Sequence, residues 1–117
     1  MRAMHHHKKQ YDIWHFVSGT AYVQTYDPDS ANGGPHGGWY GPTDSIVIPP
    51  GVAHGFYTPK GCILAYLLTL EWDGTDEYEF DALDPKYPGA ELWPTGPYIR
   101  SKRDLNAQSF EKWLADR

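Results

Sequence analysis

Cysteine is almost missing from this chain: Cys62 stands alone among 117 residues, so no intrachain disulfide framework can staple the fold. A reducing compartment is the simpler reading of a lone thiol, and a cytoplasmic location is expected. Long apolar runs are also lacking. None approaches the roughly 20 residues that cross a bilayer, and the basic, histidine-rich start has no apolar core of the signal-peptide kind, so no membrane partner is expected. Positive charge is in deficit, with 10 Lys and Arg against 15 Asp and Glu for a formal net charge of -5. Such a surface has no electrostatic attraction for a polyanionic backbone, and nucleic acid is not an expected partner. The chain is short enough to read as one domain over residues 1–117 with one modest core.

Aromatic side chains are abundant. Five Trp, nine Tyr and four Phe, punctuated by 12 Gly and 10 Pro, favour short strands and turns over long helices. "YDIWHFV" (11–17) and "TAYVQTY" (20–26) flank Ser18-Gly19 and read as a hairpin of two antiparallel strands. "DPDSANGGPHGG" (27–38) is a loop by composition. "SIVIPP" (45–50) reads as a short buried strand, and "CILAYLLTLEW" (62–72) as a further strand. Only the end looks helical, where Phe110, Trp113 and Leu114 fall at i, i+3, i+4 with Asp104 or Asn106 available as a cap. A small β-sandwich or barrel with a short C-terminal α-helix follows.

The segment "MHHHKKQYD" (4–12) carries the first candidate chemistry. Three histidines after a methionine could be the remnant of a purification tag. On a strand, however, His5 and His7 share one face while His6 looks the other way, so His5 and His7 can converge on one cavity. His5-x-His7, Asp12 and Gly19 have the spacing of the first signature of the cupin superfamily, with Asp where Glu is usual, and Pro49-x-Gly51-x-x-His54 resembles the second. Cupins are double-stranded β-helix jelly rolls, and many hold one metal. On that reading His5, His7, Asp12 and His54 form a three-histidine, one-carboxylate set suited to a divalent Fe, Mn, Ni or Zn ion.

A more detailed resemblance is to a metal-free branch. "IPPGVAHGFYT" (48–58) is similar to the central motif of the dTDP-4-dehydrorhamnose 3,5-epimerase family. "RAMHHHKKQYD" (2–12), "AYLLTLEWDGTDE" (65–77), "LDPKYPGAELWP" (83–94) and "SKRD" (101–104) resemble further segments of that family in the same order. The resemblance spans nearly the whole chain and implies an all-β, cupin-type jelly roll. It implies a cofactor-independent epimerase or isomerase of a keto-deoxysugar nucleotide, with His5 as the base beside the keto group, Asp104 as its partner and Tyr66 as the acid on the opposite face. It further implies that His54 lies near the keto oxygen and that Arg2 lies beside the nucleotide phosphates. Trp72, if it faces the cavity, could stack on sugar or base. Epimerisation beside a ketone needs this combination of base, opposed acid and a group that holds the enolate oxygen.

Each candidate has a plainer reading. Asp104 could merely cap the last helix, Tyr66 could be core, and Trp14, Trp72 and Trp93 could be packing. Glu77 and Asp84 read as turn or interstrand partners, His15 as structural, His36 as solvated, and Lys8, Lys9 and Arg100 as surface charges. The chain also departs from the family. Ala3 stands for its glycine, and Asp12 lies near the place of its lysine. The chain begins almost at Arg2, so the strands that precede this arginine in the family are expected to be missing. Exposed sheet edges would then be covered by pairing two copies, and a homodimer is expected. A metal-dependent cupin enzyme and a non-catalytic sugar-binding cupin are the alternative readings.

Overall fold

The computed structural model describes residues 1–69 and 75–117. Its strands are β1 (Met4–His6), β2 (Asp12–Gly19), β3 (Ala21–Tyr26), β4 (His36–Tyr40), β5 (Ser45–Ile48), β6 (Ala53–Tyr57), β7 (Cys62–Leu68) and β8 (Tyr78–Phe80). Two short helices close the chain, α1 (Lys102–Leu105) and α2 (Phe110–Asp116). The strands form two antiparallel sheets, one in the order β4-β3-β6-β1-β8 and the other β5-β2-β7. No helix among the described residues is long and apolar enough to cross a membrane.

The expected hairpin between the first two long strands does not form. β2 pairs with β5 and β7, whereas β3 pairs with β4 and β6, so the chain changes sheets where the hairpin turn was expected. Gly19 makes this corner with φ +75, and a Cβ there would sit 2.4 Å from the carbonyl oxygen of Gly61. A two-residue spacing between strands is compatible with a hairpin and with a sheet-to-sheet corner, and inter-sheet packing decides between them.

That packing is layered. Trp14 and Phe16 of β2, Ala21 and Val23 of β3 and Ile48 of β5 are buried together, each pointing inward by strand alternation. The other face of the larger sheet is covered by the C-terminal segment, where Met4, Phe80, Tyr87, Trp93, Phe110 and Trp113 form a second cluster. Trp93 is thus a packing residue, and Trp14 packs here while also lining the cavity between the sheets. The smaller sheet is different on its outside: Val47, Ile63 and Leu67 are 59%, 62% and 69% exposed, so the strand read as buried at 45–50 is covered on one side only. β4 begins at His36, inside the stretch whose composition reads as loop, and His36 itself is exposed.

The terminal helix is split. Ser101 caps α1 and Ser109 caps α2, their hydroxyls accepting from the backbone N–H of Asp104 and Lys112. Neither Asp104 nor Asn106 serves as the N-cap, because a serine occupies each position where the chain enters the helix in extended conformation. Phe110 and Trp113 are buried, while Leu114 stays 40% exposed because seven residues present too narrow a face to bury all three.

His6 belongs to this covered face. Its ring stacks on Tyr78 at 4.9 Å, and its Nδ1 accepts from Nε1 of Trp113 at 2.8 Å. Burial, followed by nearby Lys8, pushes its pKa down to about 4. The unfolded chain binds a proton here near pH 6.5, so this neutral histidine contributes stability above that pH and loses it as pH falls towards 4. The urea midpoint is therefore expected to drop between pH 7 and pH 5. His6→Asn, which keeps an acceptor but does not titrate, should reduce that drop; an unchanged slope would remove His6 from the account. Gly19→Ala is expected to cost more than about 2 kcal/mol through its left-handed backbone and the clash with Gly61, read from the same denaturation curves.

Candidate functional site

Strand register builds the site. His5 of β1 lies opposite His54 of β6 on one side and Glu79 of β8 on the other. Cross-strand neighbours share a face, so all three side chains project between the sheets while Met4 and His6 project into the C-terminal layer. A cavity of about 390 Å³ opens there, with His5, His7, Asp12 and His54 in its wall. Arg2, Glu77 and Gln10 add polar groups, and Trp14, Phe56, Leu64 and Leu68 supply apolar ones.

His5 is 6% exposed and lies between carboxylates. Its Nε2 is 3.8 Å from Asp104 Oδ1, and its Nδ1 is 3.5 Å from Glu79 Oε2 and 3.8 Å from Glu77 Oε1. These contacts are longer than hydrogen bonds, and both ring nitrogens are buried without a hydrogen-bond partner. Burial, reinforced by the charge of Arg2, lowers the His5 pKa to about 4 against the opposing pull of Asp104 and Glu77. The imidazole is therefore neutral near pH 7, the form able to accept a proton.

Asp104 is held in place by its own short helix. Its N–H donates to Ser101 at 3.1 Å and its carbonyl accepts from Arg100 at 3.2 Å, which leaves the buried carboxylate to face His5 and Arg2. Because Ser101 does the capping, the Asp104 side chain is free to face His5 from behind the cavity wall. Arg100 is no ordinary surface charge: it is mostly buried and bonds to Asp81 at 2.6 Å. Glu77 and Glu79 are balanced by Arg103 at 3.3 and 3.5 Å.

A second group adjoins the first in the cavity wall. His7, Asp12 and His54 are all buried, with His7 Nδ1 3.6 Å from Asp12 Oδ1 and His54 Nε2 3.4 Å from Asp12 Oδ2. Gln10 donates to Asp12 Oδ1 at 3.0 Å. The four candidate metal ligands read from the sequence therefore divide: His7, Asp12 and His54 come together, while His5 groups with Glu79 and Asp104.

Tyr66 enters from the opposite sheet, paired with Trp14, and lines the same cavity while remaining 61% exposed. Arg2 lies nearby with its side chain half exposed. Trp72 lies outside the described residues. His15 contacts Ser45 on the outer face, away from the cavity. Glu77, Glu79 and Gln10 are the polar residues around the site that the sequence reading did not assign to it. The alternation in "EYEF" (77–80) could have signalled two carboxylates on one face of a strand.

Together, the two sheets, the cavity between them and the covered outer face define the RmlC-like cupin jelly roll. The chain superposes on the rmlC epimerase of Mycobacterium tuberculosis with a TM-score of 0.84 at 26% identity, over 98% of this chain and 62% of that one. It also superposes on the dTDP-6-deoxy-D-glucose-3,5-epimerase RmlC of Legionella pneumophila, solved with dTDP-4-keto-L-rhamnose, with a TM-score of 0.79 at 24% identity over 94% and 62% of the two chains. In sequence it is 41% identical over 86 residues to the spore coat polysaccharide biosynthesis protein SpsL of Bacillus subtilis strain 168, covering 66% of this chain and 57% of that relative. The chain thus spans somewhat more than half the length of these proteins. No protein-family model matches it.

Proposed function

We propose that the protein is a sugar-nucleotide epimerase or isomerase acting on the carbon next to the keto group of a 4-keto-6-deoxy sugar. The observation that carries this reading is His5, a buried neutral imidazole 3.8 Å from the Asp104 carboxylate, in a cavity that Tyr66 enters from the opposite sheet. His5 would take the proton beside the ketone, and Asp104 would stabilise the resulting imidazolium. Tyr66 would deliver a proton to the other face and recover its own from solvent, inverting the carbon without an organic cofactor. The cavity size suits a hexose ring, with Arg2 at hand for the phosphates of the nucleotide. The solved neighbours support the reading, one of them holding a dTDP-linked keto sugar.

Deuterium exchange tests it. Incubating a dTDP-linked 4-keto-6-deoxy sugar with the protein in D₂O is expected to label the carbon next to the ketone. His5→Asn and Asp104→Asn should each slow labelling by about 10²-fold or more. Tyr66→Phe should retain exchange while losing inversion. Labelling at an undiminished rate in His5→Asn would sink the proposal.

The outer face of β5-β2-β7, with Val17, Val47, Ile63 and Leu67 exposed, supports a homodimer paired through that sheet. Light scattering is expected to give twice the chain mass, and Leu67→Lys should return it to the monomer; a wild-type monomer at micromolar concentration would overturn this.

A further inference from the structure

We propose that Glu79 is a positioning residue for His5: it holds the ring at Nδ1 as Asp104 does at Nε2, and its charge favours the ring that has just taken a proton. The catalytic half of this inference rests on the epimerase reading; the positioning half does not.

Strand register puts Glu79 there. It lies directly opposite His5 in the pairing of β1 with β8, and its chain neighbours are anchored in the C-terminal layer, Phe80 in the aromatic cluster and Tyr78 stacked on His6 at 4.9 Å. Alternation then turns the Glu79 side chain to the His5 side of the sheet. Its Oε2 is 3.5 Å from His5 Nδ1, whereas Glu77 Oε1 is 3.8 Å from Nδ1 and Asp104 Oδ1 is 3.8 Å from Nε2. Of the three carboxylates around the ring, Glu79 is the nearest.

One helical turn braces the ring from both sides. α1 carries Asp104 to Nε2, and the residue before it, Arg103, reaches Glu77 Oε2 at 3.3 Å and Glu79 Oε2 at 3.5 Å. The two glutamates share a face of β8 and repel each other; the guanidinium between them offsets that repulsion and fixes both.

Hydrogen bonds left unmade carry the argument into the reaction. Glu79 Oε2 is buried without a hydrogen-bond partner, as are both ring nitrogens of His5. Such groups are costly, and a catalytic role is one of the few reasons to keep them. A neutral imidazole has one N–H for two flanking carboxylates, so one nitrogen must face its carboxylate with a lone pair. Glu77 lies beside Nδ1 and lines the cavity, while Asp104 and Glu79 do not line it. Nδ1 is therefore the nitrogen on the cavity side, and Nε2 carries the N–H towards Asp104. When the C–H bond next to the ketone breaks, its electron pair stays with the enolate and the proton joins the Nδ1 lone pair. Glu79 then faces an N–H where it faced a lone pair. A contact that turns from repulsive to attractive within the step raises kcat without tightening substrate binding.

The test pairs kinetics with NMR of the histidine ring nitrogens, both on the full chain. Glu79→Gln and Glu79→Met remove the charge, the second without adding a donor, and a dTDP-linked 4-keto-6-deoxy sugar serves as substrate. In both variants kcat for deuterium exchange is expected to fall about tenfold with KM within about twofold of wild type, and Glu79→Asp should recover part of the loss. Glu91→Gln, at an exposed carboxylate outside the cavity wall, should leave both constants unchanged. With isotope-labelled histidine, the His5 ring nitrogen resonances should move in Glu79→Met while those of His15 and His36 stay in place. Unmoved His5 resonances overturn the proposal whatever the kinetics. So does an unchanged kcat accompanied only by a lower urea midpoint, which is the mark of a structural role, or a loss of kcat in Glu77→Gln with none in either Glu79 variant. If the wild-type chain catalyses no exchange, the epimerase reading fails by itself, and the His5 resonances still decide whether Glu79 holds the ring.

Discussion

The three residues of β1 hold the architecture together. Paired with β6 on one edge and β8 on the other, this strand joins the two halves of the larger sheet, and its side chains alternate between two layers. Met4 and His6 go into the aromatic cluster beneath the C-terminal helices; His5 goes into the cavity. A shift of one residue would bury the wrong set on each face, because the side-chain period of a strand is two. The precision of the site therefore comes from the packing of its back: the Trp113–His6 hydrogen bond and the Tyr78 ring help to position His5.

That arrangement places many ionisable groups out of water, which a small domain can do only if each is neutral or paired. His5 and His6 are held neutral by burial, Asp104 and the two glutamates face arginines, and Asp12 faces two histidines. The carboxylates around His5 are thus balanced by arginines and Asp12 by histidines, so neighbouring parts of one cavity carry different electrostatics.

Much of this was legible in local sequence. Alternation put His5 and His7 on one side and His6 on the other, and that is how the structure disposes them. The turn-bounded strands at 12–19, 21–26 and 62–68 carried their own signals in β-branched and aromatic residues. Strand pairing was less legible. Ser18-Gly19 reads as a hairpin, yet Gly19 turns the chain from one sheet to the other, since a short glycine connection encodes a bend and not the partner of the next strand. Glu77, read as a turn or interstrand partner, and Glu79, not singled out, were missed as site residues for the same reason: their alternation was visible, but the pairing of β8 with β1 that brings them to His5 is a contact between segments more than 70 residues apart.

The sequence by itself determined the class of fold, through aromatic-rich strands and ordered motifs, and which residue types could do chemistry. Their grouping was decided only by tertiary structure. Four candidate metal ligands look like one set along the chain, but the registers of β1 with β6 and β8 and the placement of Asp104 by Ser101 draw His5 away to a carboxylate group of its own. Spacing along a strand fixes the face on which a side chain lies. Which neighbours meet it there depends on long-range pairing, and no local pattern carries that information.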